Sequence, residues 1–98
     1  MRVIALKRLR QNWEKPGRDD SEQPLKAWHA IVCEASWWHF ADVRAQFGSA
    51  SAVGERVVFN IAGNKYRLVA YINYAFYTVY VRFIGTHAEY DDLNIEDV

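Results

Sequence analysis

The sequence predicts an α+β fold of two layers, an N-terminal helical hairpin packed on an antiparallel β-sheet. Three observations carry this. Apolar residues recur at helical spacing in the first half, at Leu6, Leu9 and Trp13 and again at Leu25, Trp28, Val32 and Ala35. In the second half they alternate with period two, at Val57, Phe59 and Ile61 and at Val79, Val81 and Phe83. Between the halves lies Gly48-Ser49-Ala50-Ser51-Ala52-Val53-Gly54, which reads as the most flexible segment.

Each element has a local reason. Arg2-Val3-Ile4 reads as a short edge strand, and the helix carrying Leu6, Leu9 and Trp13 stops at Pro16-Gly17. Asp20 and Gln23 have capping-box spacing, with Pro24 still inside the first turn where its missing N–H costs little. The second helix then runs to about Ser36. Trp37-Trp38-His39-Phe40 is too aromatic for a free loop and is expected to pack beneath the hairpin. Asp42 to Phe47 reads as one more helical turn, ended by Gly48. Ala62-Gly63-Asn64 supplies a hairpin turn and Tyr74-Ala75-Phe76-Tyr77 a second. In the resulting meander, Val57, Phe59, Leu68, Ile72, Val81 and Phe83 face the helices. Asn60, Lys65, Arg67, Tyr71, Tyr80 and Arg82 face away.

Composition bounds the rest. The 98 residues fit one domain, 1–98, with one core. A single Cys33 leaves no internal disulfide and suits a reducing compartment. With neither a leader pattern nor a long apolar run, the expected location is cytoplasmic and no membrane partner is expected. Formal net charge is zero, against a simple basic nucleic-acid binder. Its distribution is uneven: Arg2, Lys7, Arg8, Arg10, Lys15 and Arg18 crowd the start, and no Lys or Arg follows Arg82.

The residues suited to chemistry lie in the C-terminal third. Arg67 stands on an apolar strand, where a guanidinium needs an anion: either a carboxylate such as Glu89, or a phosphate gripped bidentately. Lys65 and Arg82 are placed to reinforce it. His87 follows the last strand, and an imidazole exchanges its proton near neutral pH. Glu89 is a candidate to orient it, and Tyr90 to donate to an oxyanion or stack on a base. Asn60 and Tyr71 share the polar face. His29, Cys33 and His39 have metal-ligand spacing without a fourth ligand, so no metal or cofactor is expected. Phosphate-loop, dinucleotide and nucleophile-elbow motifs are absent.

The runs Gly63-Asn64-Lys65-Tyr66-Arg67-Leu68-Val69, Val79-Tyr80-Val81-Arg82-Phe83-Ile84 and Gly85-Thr86-His87-Ala88-Glu89-Tyr90-Asp91 resemble HigB toxins, of the RelE-like branch of type II toxin–antitoxin systems. Glu22 to Trp28, Asp42 to Phe47 and Arg56 to Ile61 share the likeness. The resemblance implies a RelE-like toxin fold and a toxin that cuts mRNA, mostly in the ribosomal A site. It also implies a helix-turn-helix HigA-type antitoxin partner, through which alone operator DNA is contacted. Arg67 matches the family's phosphate-contacting arginine in the Tyr-Arg-Leu-Val strand, and His87 the second catalytic position, with Tyr90 its aromatic partner. Val58 and Asn60 stand where RelE has two lysines, so lysine-based proton transfer does not carry over. The catalytic set expected is therefore His87, Arg67, Tyr90 and Glu89, with Lys65, Arg82, Asn60 and Tyr71 binding RNA. A non-catalytic module binding RNA or the ribosome, or a protein-interaction domain, is the alternative.

Overall fold

The computed structural model describes residues 1–98. In chain order come β1 (Arg2–Ile4), α1 (Leu6–Trp13), a 3-10 turn (Asp19–Ser21), α2 (Glu22–Glu34) and α3 (Phe40–Gln46). The strands β2 (Ser51–Val53), β3 (Arg56–Ile61), β4 (Tyr66–Asn73) and β5 (Thr78–Thr86) follow, then α4 (His87–Asp91) and a 3-10 turn at Ile95–Asp97. The sheet order is β1-β5-β4-β3-β2. Its pairings are antiparallel except β1 with β5, which are parallel and joined through α1–α3 and β2–β4.

The helical spacing translates into a buried stripe. Leu9 of α1 and Leu25, Trp28 and Val32 of α2 are fully buried against Val57, Phe59, Ile61, Leu68, Ala70, Ile72, Val79 and Val81 of the sheet. Phe59 is the hub, with Trp28 and Phe47 edge-on at 5.4 and 5.2 Å between ring centroids and Trp37 stacked at 6.4 Å. Trp37 is buried as expected, but Trp38 is 70% exposed, so only part of that aromatic run lies under the helices. Leu6 is also exposed; Asn12 is buried in its place, donating to Ser21 Oγ at 3.0 Å and accepting from Arg18.

Three expectations fail for identifiable reasons. Gly48 to Gly54 is no slack linker, since Ala50 is buried and Ser51–Val53 pairs with β3 as the outer strand. Asp20 does not cap α2; its carboxylate turns to β4 and takes bonds from Tyr66 and Lys65. On β5, Val69 pairs with Phe83 while Ala70 pairs with Val81, leaving Arg82 as an extra residue. Such a bulge swaps every following side chain to the other face. Ile84, not Phe83, therefore packs on the core.

The face turned away from the helices is ordered in three rows by the strand register. Asn60, Arg67 and Gly85 form the first, Val58, Val69 and Phe83 the second, and Arg56, Tyr71 and Tyr80 the third. The C-terminal segment returns across this face, where Arg56 Nε donates to the Val98 carbonyl oxygen at 2.7 Å. Val58 and Val69 are buried on this side without helices.

Candidate active site

The site is assembled where β5 passes into α4. Thr86 caps the helix: its hydroxyl oxygen accepts from the Glu89 amide at 3.2 Å, and Glu89 Oε1 accepts from the Thr86 amide at 2.9 Å. The His87 amide donates to the Lys65 carbonyl oxygen at 3.1 Å, which sets the first turn of α4 beside the start of β4. Arg67, opposite Gly85 in register, then lies next to the helix, its guanidinium carbon 5.9 Å from the centre of the Tyr90 ring.

Arg67 carries the unusual electrostatics. Its Nη1 is buried and has no hydrogen-bond partner, and no carboxylate pairs with the guanidinium. Glu89, the carboxylate suggested as its partner, is engaged elsewhere. Arg18 holds it bidentately at 2.8 and 3.0 Å. These bonds, with the Thr86 amide, lower the Glu89 carboxyl to about 2, and the Arg18 guanidinium is raised in turn. Glu89 is thus a latch for α4 rather than a partner of Arg67 or His87.

Orientation of the imidazole falls to Asp91, one helical turn on, whose Oδ2 lies 2.9 Å from His87 Nδ1. A carboxylate only accepts, so Nδ1 carries the hydrogen, which leaves Nε2 as the nitrogen not engaged by Asp91. No helix is predicted from the sequence at His87–Asp91, so the i+4 relation of Asp91 to His87 was missed; the expected orienter, Glu89, sits at i+2 and is held by Arg18. Arg18 gave no such signal, being 71 residues from Glu89.

Lys65 is not free. Its ammonium is bound to Asp20, and the Tyr66 hydroxyl donates to the same carboxylate at 2.6 Å. The lysine and then the phenol hold the Asp20 carboxyl below its ordinary range, while burial and then Asp20 push the Tyr66 phenol up to about 12. Asn60 is exposed beside Arg67 in the first row. Tyr71 and Arg82 stand apart, across the apolar second row. Tyr71 and Tyr80 stack at 6.1 Å, Arg82 lies 5.4 Å from the Tyr80 ring, and Arg56 lies 5.5 Å from Tyr71. The expected residues therefore divide into Arg67 with Tyr90, on the helix that also carries His87, and a separate cation–aromatic patch. Cys33 Sγ meets His29 Nε2 at 3.6 Å, and no group of three or more His, Cys, Asp or Glu comes together.

Helices packed on a five-stranded, mostly antiparallel sheet make this an α+β fold of the RelE-like toxin class. A family model described as HigB_toxin, RelE-like toxic component of a toxin-antitoxin system, matches residues 21–93. The chain belongs to this HigB family, whose toxins are paired with a cognate antitoxin. No curated protein matches it. None of its helices is long and apolar enough to cross a membrane.

Proposed function

We propose that this toxin is an endoribonuclease that cuts mRNA on the ribosome and so arrests translation, acting without a metal ion. The observation that carries the reading is the buried, partnerless Nη1 of Arg67. A buried N–H without an acceptor costs free energy that a folded chain normally avoids, even on a half-buried side chain. A phosphodiester laid against β4 supplies the missing acceptor, and the planar guanidinium grips two of its oxygens.

The chemistry follows from the cluster. The 2′-oxygen attacks the adjacent phosphorus and loses its proton, the P–O5′ bond breaks, and the 5′-oxygen is protonated as it leaves. The products are a 2′,3′-cyclic phosphate and a 5′-hydroxyl. Arg67 stabilises the charge that builds on the phosphorane. His87 exchanges a proton through Nε2 while Asp91 fixes its tautomer. Tyr90 seats Arg67 and offers its hydroxyl or ring to the substrate. Glu89 acts through α4, and Lys65, already neutralised by Asp20, contributes less than its charge suggests. With so few groups, alignment by the ribosome supplies much of the rate. The cognate antitoxin is of the helix-turn-helix HigA type, and operator DNA is reached only through it. The toxin works in the cytoplasm as a single domain spanning 1–98.

The patch of Arg56, Tyr71, Tyr80 and Arg82 favours a second reading, a module that binds RNA without cutting. Both are tested by mapping the ends of mRNA incubated with the toxin on programmed ribosomes, with natural and 2′-deoxy nucleotides at the cut position. Cleavage that leaves cyclic phosphate ends and stops when the cut nucleotide is 2′-deoxy supports the nuclease. Binding without cleavage replaces it with the second reading.

A further inference from the structure

We propose that the cleft between α1 and β5 binds single-stranded RNA immediately beside the reacting phosphate; this rests on the nuclease reading. The cleft encloses about 640 Å³, within the range of small-ligand sites, and is lined by Arg8, Gln11, Asn12, Lys15, Phe83 and Ile84. Three features point to RNA.

The first is charge. Arg8 and Lys15 form no ion pair with any carboxylate of the chain. Arg8 is held by one bond, Nη1 donating to the Arg82 carbonyl oxygen at 2.8 Å, which the bulge in β5 leaves exposed. The rest of its fork is free for phosphate. The second feature is a ring. The bulge places Phe83 on the outer face and at the cleft, giving a flat apolar surface next to cations and the Gln11 amide. Phosphate, base face and base edge each find a partner there. An acidic protein segment would use the cations but has no need of the ring.

The third is continuity. A Cβ on Gly85 would lie 2.8 Å from Phe83 Cζ, so the ring abuts the strand position that faces Arg67. Two residues of strand span about 7 Å. A strand of RNA with its reacting phosphate on Arg67 therefore has its neighbouring nucleotide at the cleft mouth. The same contacts serve a message nucleotide or a stretch of ribosomal RNA, and the experiment separates these sources.

The test uses the whole purified chain with Lys15→Gln, Gln11→Ala and Phe83→Leu. Lys7→Gln, on the same helix but outside the cleft, controls for net charge. Binding of a fluorescein-labelled 12-nucleotide single-stranded RNA is read by anisotropy across a salt series, and cleavage on programmed ribosomes by kcat and KM. The expectation is about tenfold weaker RNA binding for Lys15→Gln, a salt slope reduced by about one, and no such change for Lys7→Gln. KM rises while kcat stays within about threefold. Weakened oligonucleotide binding assigns the cleft to the message; a KM change without it assigns ribosomal RNA. Gln11→Ala, on an exposed helical position, keeps the test decisive if Phe83→Leu fails to fold. The proposal is overturned if all cleft variants bind RNA and cleave like Lys7→Gln, or lose only antitoxin binding, while wild type still cuts. If wild type binds through the cleft but never cuts, the cleft stands and the nuclease reading falls.

Discussion

Arg67 is the residue whose placement is hardest to explain by stability. Its Nη1 is buried without a partner, on a strand whose neighbours Leu68, Val69 and Ala70 are fully buried. Arg67→Leu should therefore raise the unfolding free energy, by about 1 kcal/mol, and with it the denaturant midpoint, since it removes a buried N–H that has no acceptor. A structural arginine would give the opposite sign in the same urea titration. His87 has a different signature. His87→Ala should cost about 10²–10⁴-fold in single-turnover cleavage without unfolding the chain. Asp91→Asn should lose less, since the ring remains and only its orientation relaxes. The positions of Arg67 and His87 were legible from the sequence, Arg67 as a cation on an apolar strand and His87 as the residue just after the last strand. The role of Glu89 was not legible, because its partner Arg18 lies 71 residues away and composition names no pair.

At the scale of the element, α4 is short and depends on its latch. It spans His87–Asp91, and Glu89 joins it to β5 through Thr86 and to the turn before α2 through Arg18. The folded chain holds the Glu89 carboxyl at about 2 against an ordinary 4.5. A depressed carboxyl stabilises the fold above its unfolded value, and that contribution disappears as pH falls from about 4.5 toward 2. Because the Glu89 side chain is 45% exposed, solvent screening keeps the contribution to about 1 kcal/mol. Glu89→Gln should melt below wild type at pH 7, and the two melting curves should converge near pH 2. Gly85 is the other constraint, since a Cβ there would lie 2.6 Å from Glu89 Oε1. Gly85→Ala should destabilise by about 1–3 kcal/mol. Combined with Glu89→Ala the loss should be less than additive, which thermal melts of the double variant will measure. Helices and strands were legible because their periods of 3.6 and 2 are written in the apolar residues. The bulge at Arg82 was not, because one inserted residue leaves the alternation intact while moving Phe83 across the sheet.

Across the whole molecule, the uneven charge resolves into surfaces. The basic N-terminal residues remain mostly unpaired, with α1 lying along β5 where Arg8 covers the bulge. The acidic end crosses the outer face toward Arg56. Two layers and their order were legible from the switch of hydrophobic period near Gly48. The parallel pairing of β1 was not, since nothing local to Arg2–Ile4 specifies a partner 76 residues on. On the proposed function, the lone guanidinium of Arg67 waits for a scissile phosphate. The most direct test is the single-turnover rate of mRNA cleavage on programmed ribosomes for wild type and for folded Arg67→Leu. The prediction is a loss of about 10²–10³-fold in the chemical step in a protein at least as stable as wild type. Cleavage by Arg67→Leu at the wild-type rate would contradict it and return the arginine to a structural part.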